Sequence, residues 1–175
     1  MNAIRNMEFS KVINLKDLVP YGEKTINSMM IALKNSLNSA VFAFDKEEVL
    51  SERSAPADAL VYVLDGELEI FINKIAHKVK KGEMILMPAN TPHALKALEK
   101  SKMLLIIVKK YEDIGGFINL EYSKELLMKD IVTGFKGGIV SKRILKEDEI
   151  IVIPLNILYE IKAKTDSKFL LIKIN

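Results

Sequence analysis

Residues 81–93 read KGEMILMPANTPH. Gly82 and Pro88 frame the apolar run 84–87, which is too short for a helix and is bounded by residues that break one. It reads as a buried strand running into a tight turn. Asn90 suits that turn, because it tolerates the left-handed backbone region better than most residues. Pro92-His93 then starts the next element. Upstream, residues 60–67 read LVYVLDGE, a second apolar run closing on Asp65-Gly66. Asp-Gly between two apolar runs is a strong hairpin signal, so the spacing predicts a hairpin there.

The surrounding chain keeps a period of two. Over 67–72, Glu67 and Glu69 alternate with Leu68, Ile70 and Ile72, the pattern of a half-buried strand. Runs at 41–44 (VFAF) and 104–108 (LLIIV) read as strands buried on both faces. The segment 26–37 is ambiguous, because Ile26, Met29, Met30, Leu33 and Leu37 also have helical spacing.

A repeat organises the rest. A shift of 66 residues lays 80–106 on 146–172 without a gap, and 12 of the 27 positions are identical. Pro88 meets Pro154, Asn90 meets Asn156, and Leu104-Leu105-Ile106 meets Leu170-Leu171-Ile172. Charge and Gly115-Gly116 mark a break at 109–116. The division expected is a first unit at 1–110 and a shortened second unit at 117–175. The second unit is too short to close a barrel, so its strands need edges supplied by the N-terminal segment or by a second subunit.

Bulk composition excludes several classes. With 175 residues, 49% of them hydrophobic and 28% charged, the chain has the make-up of a globular protein with a sizeable core. No apolar run approaches the ~20 residues that span a bilayer, and no secretory leader opens the chain, so a cytoplasmic protein without membrane contact is expected. Zero cysteines removes disulfides, thiolate zinc sites and cysteine nucleophiles. A net charge of +3 without tryptophan gives no nucleic-acid footprint. Phosphate loops, nucleophile elbows and His-Glu-x-x-His are all missing.

The two stretches resemble the paired motifs of the cupins, small all-β proteins of antiparallel jelly-roll type that commonly hold a metal in the barrel mouth. The resemblance is close over 14–109 and loose beyond. It implies a β-barrel with a partial second cupin unit, and homodimers that pair through their sheets. With the first motif's glycine set on Gly66, its two histidine positions fall on Arg53 and Ala55, and its glutamate position on Ala59. The second motif's histidine falls on His93 and its following asparagine on Ala97. In the second copy, Tyr159 stands where His93 would be. Three of the four ligand positions therefore carry no usable donor, and a guanidinium is always charged with no lone pair to give.

What remains is an expectation of a metal-free site with no cofactor. Arg53 offers two-pronged contact to a small polar or anionic ligand, with His93 and Tyr62 as further contacts. Asp58 belongs to the same stretch, either as a site residue or as a turn acid, and His77 reads as surface. Three functions stay open: a non-catalytic ligand-binding, sensing or scaffolding barrel, a metal-dependent isomerase or dioxygenase, or a dimerisation module. The enzyme reading requires Glu52, Asp58 or His77 to converge on His93.

Overall fold

The computed structural model describes residues 4–109 and, in backbone, the short strands 126–127 and 149–151. The run at 60–64 lies within β5 (Ala57–Asp65), buried along nearly its whole length. Alternate residues of β5 serve different cores. Ala59, Val61 and Val63 point into one apolar cluster, while Leu60 and Leu64 belong to another. That double burial is why the run is continuous and not alternating.

Two antiparallel sheets carry the fold. The larger has the order β11-β8-β5-β10-β3-β2. It is formed by β2 (Ile26–Leu33), β3 (Leu37–Phe44), β5, β8 (Glu83–Met87), β10 (Ser101–Lys109) and the short β11 (Leu126–Leu127). The smaller has the order β4-β9-β6-β7. Its strands are β4 (Val49–Arg53), β6 (Glu67–Ile72), β7 (Ile75–Lys80) and β9 (His93–Ala97). The first cluster fills the space between the sheets, with Phe44, Leu68, Ile70, Val79 and Ile85 fully buried. This is the all-β jelly roll expected from the motifs. The ambiguous segment 26–37 resolves as β2 and the start of β3, because pairing along β3 leaves no room for a helix.

The second cluster lies on the outer face of the larger sheet. A short 3-10 turn (Leu15–Asp17) and the residues after it cover Leu60, Leu64, Met84, Leu86 and Leu104 there, with Leu15 and Val19 buried against them. Lys102 pins this cover. Its ammonium donates to the carbonyl of Lys16 and lies over the Tyr21 ring, 4.4 Å from the centroid. The Tyr21 hydroxyl donates to Asp65 Oδ2 at 3.0 Å.

The hairpin expected at Asp65-Gly66 is not one. β6 pairs with β7 and β9, and never with β5, so the chain crosses from one sheet to the other at Gly66. Gly66 has φ +72°, and a Cβ there would meet the Lys100 carbonyl at 2.4 Å. The glycine permits a close crossing, not a two-residue loop. The true hairpin joins β6 to β7 through Asn73-Lys74, both at positive φ, as a two-residue loop between right-twisted strands requires.

The second unit at 117–175 and the repeat partner 146–172 lie outside the described residues, except for two short strands. β11 pairs with β8, and β12 (Glu149–Ile151) pairs antiparallel with β1 (Val12–Asn14). Under the 66-residue shift, β12 is the counterpart of the first three residues of β8.

Candidate functional site

The site is set by one register. β4 and β9 run antiparallel with Leu50 opposite Leu95 and Arg53 opposite His93. Three steps on β4 match two on β9, so β4 carries one extra residue, a bulge. Without it, Arg53 would fall on the outer face. With it, Arg53 shares the face of His93, since directly opposed residues project to the same side. That face is the inner one. His93 also opposes Ile72, and Leu95 opposes Ile70, and Ile72, Leu95 and Ile70 all belong to the cluster between the sheets.

Both side chains sit at the barrel's rim. Arg53 is exposed and His93 half-buried. Among the described residues no ion pair engages the Arg53 guanidinium, neither with Glu52 nor with Asp58. The His93 ring is held by its own loop, with Nδ1 3.0 Å from the Thr91 carbonyl. A carbonyl only accepts, so Nδ1 carries a proton and Nε2 is left as the ring's other polar atom. Thr91 acts through its backbone, which no side-chain pattern reveals.

Asp58 and Tyr62 lie elsewhere. The Asp58 carboxylate is fully buried and accepts from the Ala89 N–H at 2.9 Å. Nearby, the Asn90 N–H donates to the Ala55 carbonyl at 2.7 Å, and Asn90 has φ +61°. Asp58 thus ties the first motif to the turn of the second and supports His93 from behind. Tyr62 belongs to the outer cluster with Leu60 and Leu64, on the face of β5 opposite to Ala59. Only Arg53 and His93 of the four expected site residues come together at the rim. His77 is half-buried on β7, and β6 separates β7 from β9. At about 4.8 Å per strand, the two histidine strands are ~10 Å apart.

The floor of the rim is carbon. Ile107 opposes Ala59, and Ala59 opposes Met87, making an apolar row across β10, β5 and β8. Ala59 and Met87 are buried within the core cluster, and Ile107 is packed against it.

Comparison with known proteins follows the same lines. Residues 41–109 match the family model of the cupin domain. A conserved protein of unknown function from Streptococcus pyogenes, SPY1581, is 37% identical over 63% of this chain and 97% of its own, with a TM-score of 0.61. This chain belongs to the cupin superfamily. A cupin superfamily protein from Desulfitobacterium hafniense shares the fold at 24% identity and TM-score 0.59, over 61% of this chain and 98% of its own. A cupin 2 conserved barrel domain protein from Leptotrichia buccalis does so at 22% and 0.63, over 83% of this chain and 64% of its own. No curated protein matches the chain.

A cupin barrel implies a metal in the mouth, and the residues present do not fit one. A first-row divalent ion needs three or four imidazole or carboxylate donors at about 2 Å. The motif positions of this cupin supply one imidazole, two methyls and a fixed cation. Among the described residues no group of three His, Asp or Glu side chains converges.

Proposed function

We propose that this cupin is a metal-free, non-catalytic barrel that binds a small anionic ligand at its rim. The observation that carries the reading is the pairing of Arg53 with His93 on the inner face of β4 and β9. A guanidinium with no ion-pair partner among the described residues presents two parallel donors, the geometry a carboxylate or phosphate accepts. The adjacent Nε2 supplies a third contact, donating when the ring is charged. The same cation opposes a metal in the place where the fold would hold one.

The enzyme reading needs recruited ligands, and the donor set argues against it. Asp58 is spent on Ala89, His77 stands on a distant strand, and Glu52 is exposed beside Arg53.

Calorimetric titration of the full chain with zinc and with nickel tests the metal half. Binding no tighter than a lone surface histidine gives is expected, and Arg53→His raises it only slightly because two donors are still missing. Submicromolar binding of either ion that vanishes in His93→Ala overturns the reading. For the anion half, acetate and inorganic phosphate are titrated while the Arg53 Nε–H and His93 ring resonances are followed. Saturable shifts that disappear in Arg53→Gln are expected. Shifts that persist unchanged in that variant sink it.

Self-association has its own supporting observation. β2 is the last strand of the larger sheet, bonded by residues 4–6 over 30–32, and its Met30 and Leu33 side chains are exposed. Light scattering at micromolar concentration reads the mass directly.

A further inference from the structure

We infer that the ligand of this rim is an amphipathic acid, with a carboxylate-like head on Arg53 and His93 and an apolar body lying against the inner wall of the larger sheet. The inference rests on the anion reading above and adds what the rest of the ligand must be.

The wall is the reason. Phe42, Leu105 and Ile107 project toward the core between the sheets and pack against its buried members, yet each is only partly buried. Interior-facing carbon that water still reaches marks accessible apolar space, in contrast to closed core such as Val61 and Ile85, which are fully buried.

Ile107 and the charged pair share one end of the barrel, and the apolar face runs inward from there through Leu105 to Phe42, which lies level with Met103 and Val63. Ile107 opposes Ala59 and Ala59 opposes Met87, in a row at the end where β5 begins and β8 finishes. At that same end the Asn90 N–H meets the Ala55 carbonyl, Asp58 meets Ala89, and the Asn73 N–H donates to the Pro92 carbonyl beside His93. The loops that carry Arg53 and His93 thus border the apolar row. At the position where the cupin pattern calls for a carboxylate, the buried methyl of Ala59 offers carbon and no donor.

A small, wholly polar anion would leave this wall wet. A hydrocarbon without charge would leave the guanidinium unanswered. A molecule with both parts satisfies each, in the manner of sites that are mostly apolar with a few convergent polar groups.

The test is a homologous series on the full-length protein: acetate, butyrate, hexanoate and octanoate, with benzoate as an aromatic member and 1-hexanol as the uncharged control. Affinity should rise about fourfold per methylene over the part of the chain that reaches the wall, as burial of each CH₂ predicts. Hexanol should bind at least tenfold more weakly than hexanoate, and Arg53→Gln should remove that preference. Ile107→Thr should flatten the series, so that octanoate loses most of its advantage over acetate. Acids that bind with equal strength at every length, still dependent on Arg53, overturn the apolar body and leave the anion reading standing. Failure of every acid, acetate included, overturns both. A length dependence that hexanol shares and Arg53→Gln leaves intact reveals unspecific apolar contact and likewise overturns both.

Discussion

The buried carboxylate of Asp58 accepts the N–H of Ala89, thirty-one residues along the chain, at 2.9 Å. This bond joins the start of β5 to the turn that leads into His93. A hydrogen bond to a carboxylate acceptor is worth about 1.5–3 kcal/mol, and losing it leaves a half-buried N–H without this partner. Asp58→Ala should therefore lower stability by about 2–3 kcal/mol in urea unfolding. Asp58→Asn keeps an acceptor and should lose about half of that. In both variants the His93 ring resonances should move, since its loop loses an anchor. An Asp58→Ala protein as stable as the parent would show that the bond is incidental.

Among the described residues, the two glycines at positive φ should respond unequally. At Gly66 a methyl would collide with the Lys100 carbonyl and with Ser101, so Gly66→Ala combines a left-handed penalty with a backbone clash. A loss of about 3 kcal/mol or more is expected. Gly82 has φ +83° but nothing within 4 Å of its added Cβ, so Gly82→Ala should lose only about 1–2 kcal/mol. Equal unfolding midpoints for the two variants would remove the argument.

Lys74 occupies a left-handed position, φ +67°, in the two-residue loop between β6 and β7. Asn-Gly is the preferred pair for such a loop, and Asn73 already provides its first half. Lys74→Gly should stabilise the protein by about 0.5–1 kcal/mol, seen as a higher urea midpoint with an unchanged slope.

Tyr21 makes stability depend on alkaline pH. Burial, and then the hydrogen bond to Asp65, push its phenol up well above the ordinary tyrosine range. In the unfolded chain the group ionises near pH 10. The folded state keeps the proton longer, so this contribution is complete below pH ~10 and is lost as pH climbs beyond it. Stability should fall across that window, and Tyr21→Phe should flatten the fall while losing about 1 kcal/mol at neutral pH. Absorbance of tyrosinate in the native protein should show Tyr21 ionising after any exposed member of the five tyrosines.

Much of the fold was legible because apolar runs and turn residues are local signals. β6, β8 and β10 appear where the pattern puts them. Pairing is not local. Asp65-Gly66 has the chemistry of a hairpin, but only the sheet order reveals that its strands part company, while Lys74 hides the true hairpin behind a residue unusual at positive φ. At the candidate site, motif spacing singled out Arg53 and His93, and the register of β4 on β9 sets the two opposite each other. Parity would have separated Tyr62 from them: it stands three residues after Ala59, an odd step that lands on the other face of the strand. The bulge that turns Arg53 inward leaves no trace in residue types, and neither does the Thr91 carbonyl that orients His93.

The pairing of β1 with β12 carries a consequence for how the chain acquires its shape. Val12 meets Ile151 and Asn14 meets Glu149, so partners lie 139 and 135 residues apart in sequence (151 − 12 and 149 − 14). Contacts this distant are slow to form, because closing the intervening loop costs entropy before any bond repays it. During synthesis at about 5–20 residues per second, the N-terminal strand waits several seconds or more for its partner to be made. The jelly roll at 26–109 has every one of its internal strand partners long before then. Folding should accordingly run in two kinetic phases, a faster closure of the sandwich and a slower docking of the first strand. A chain ending shortly after Lys109 should keep the fast phase and lose the slow one.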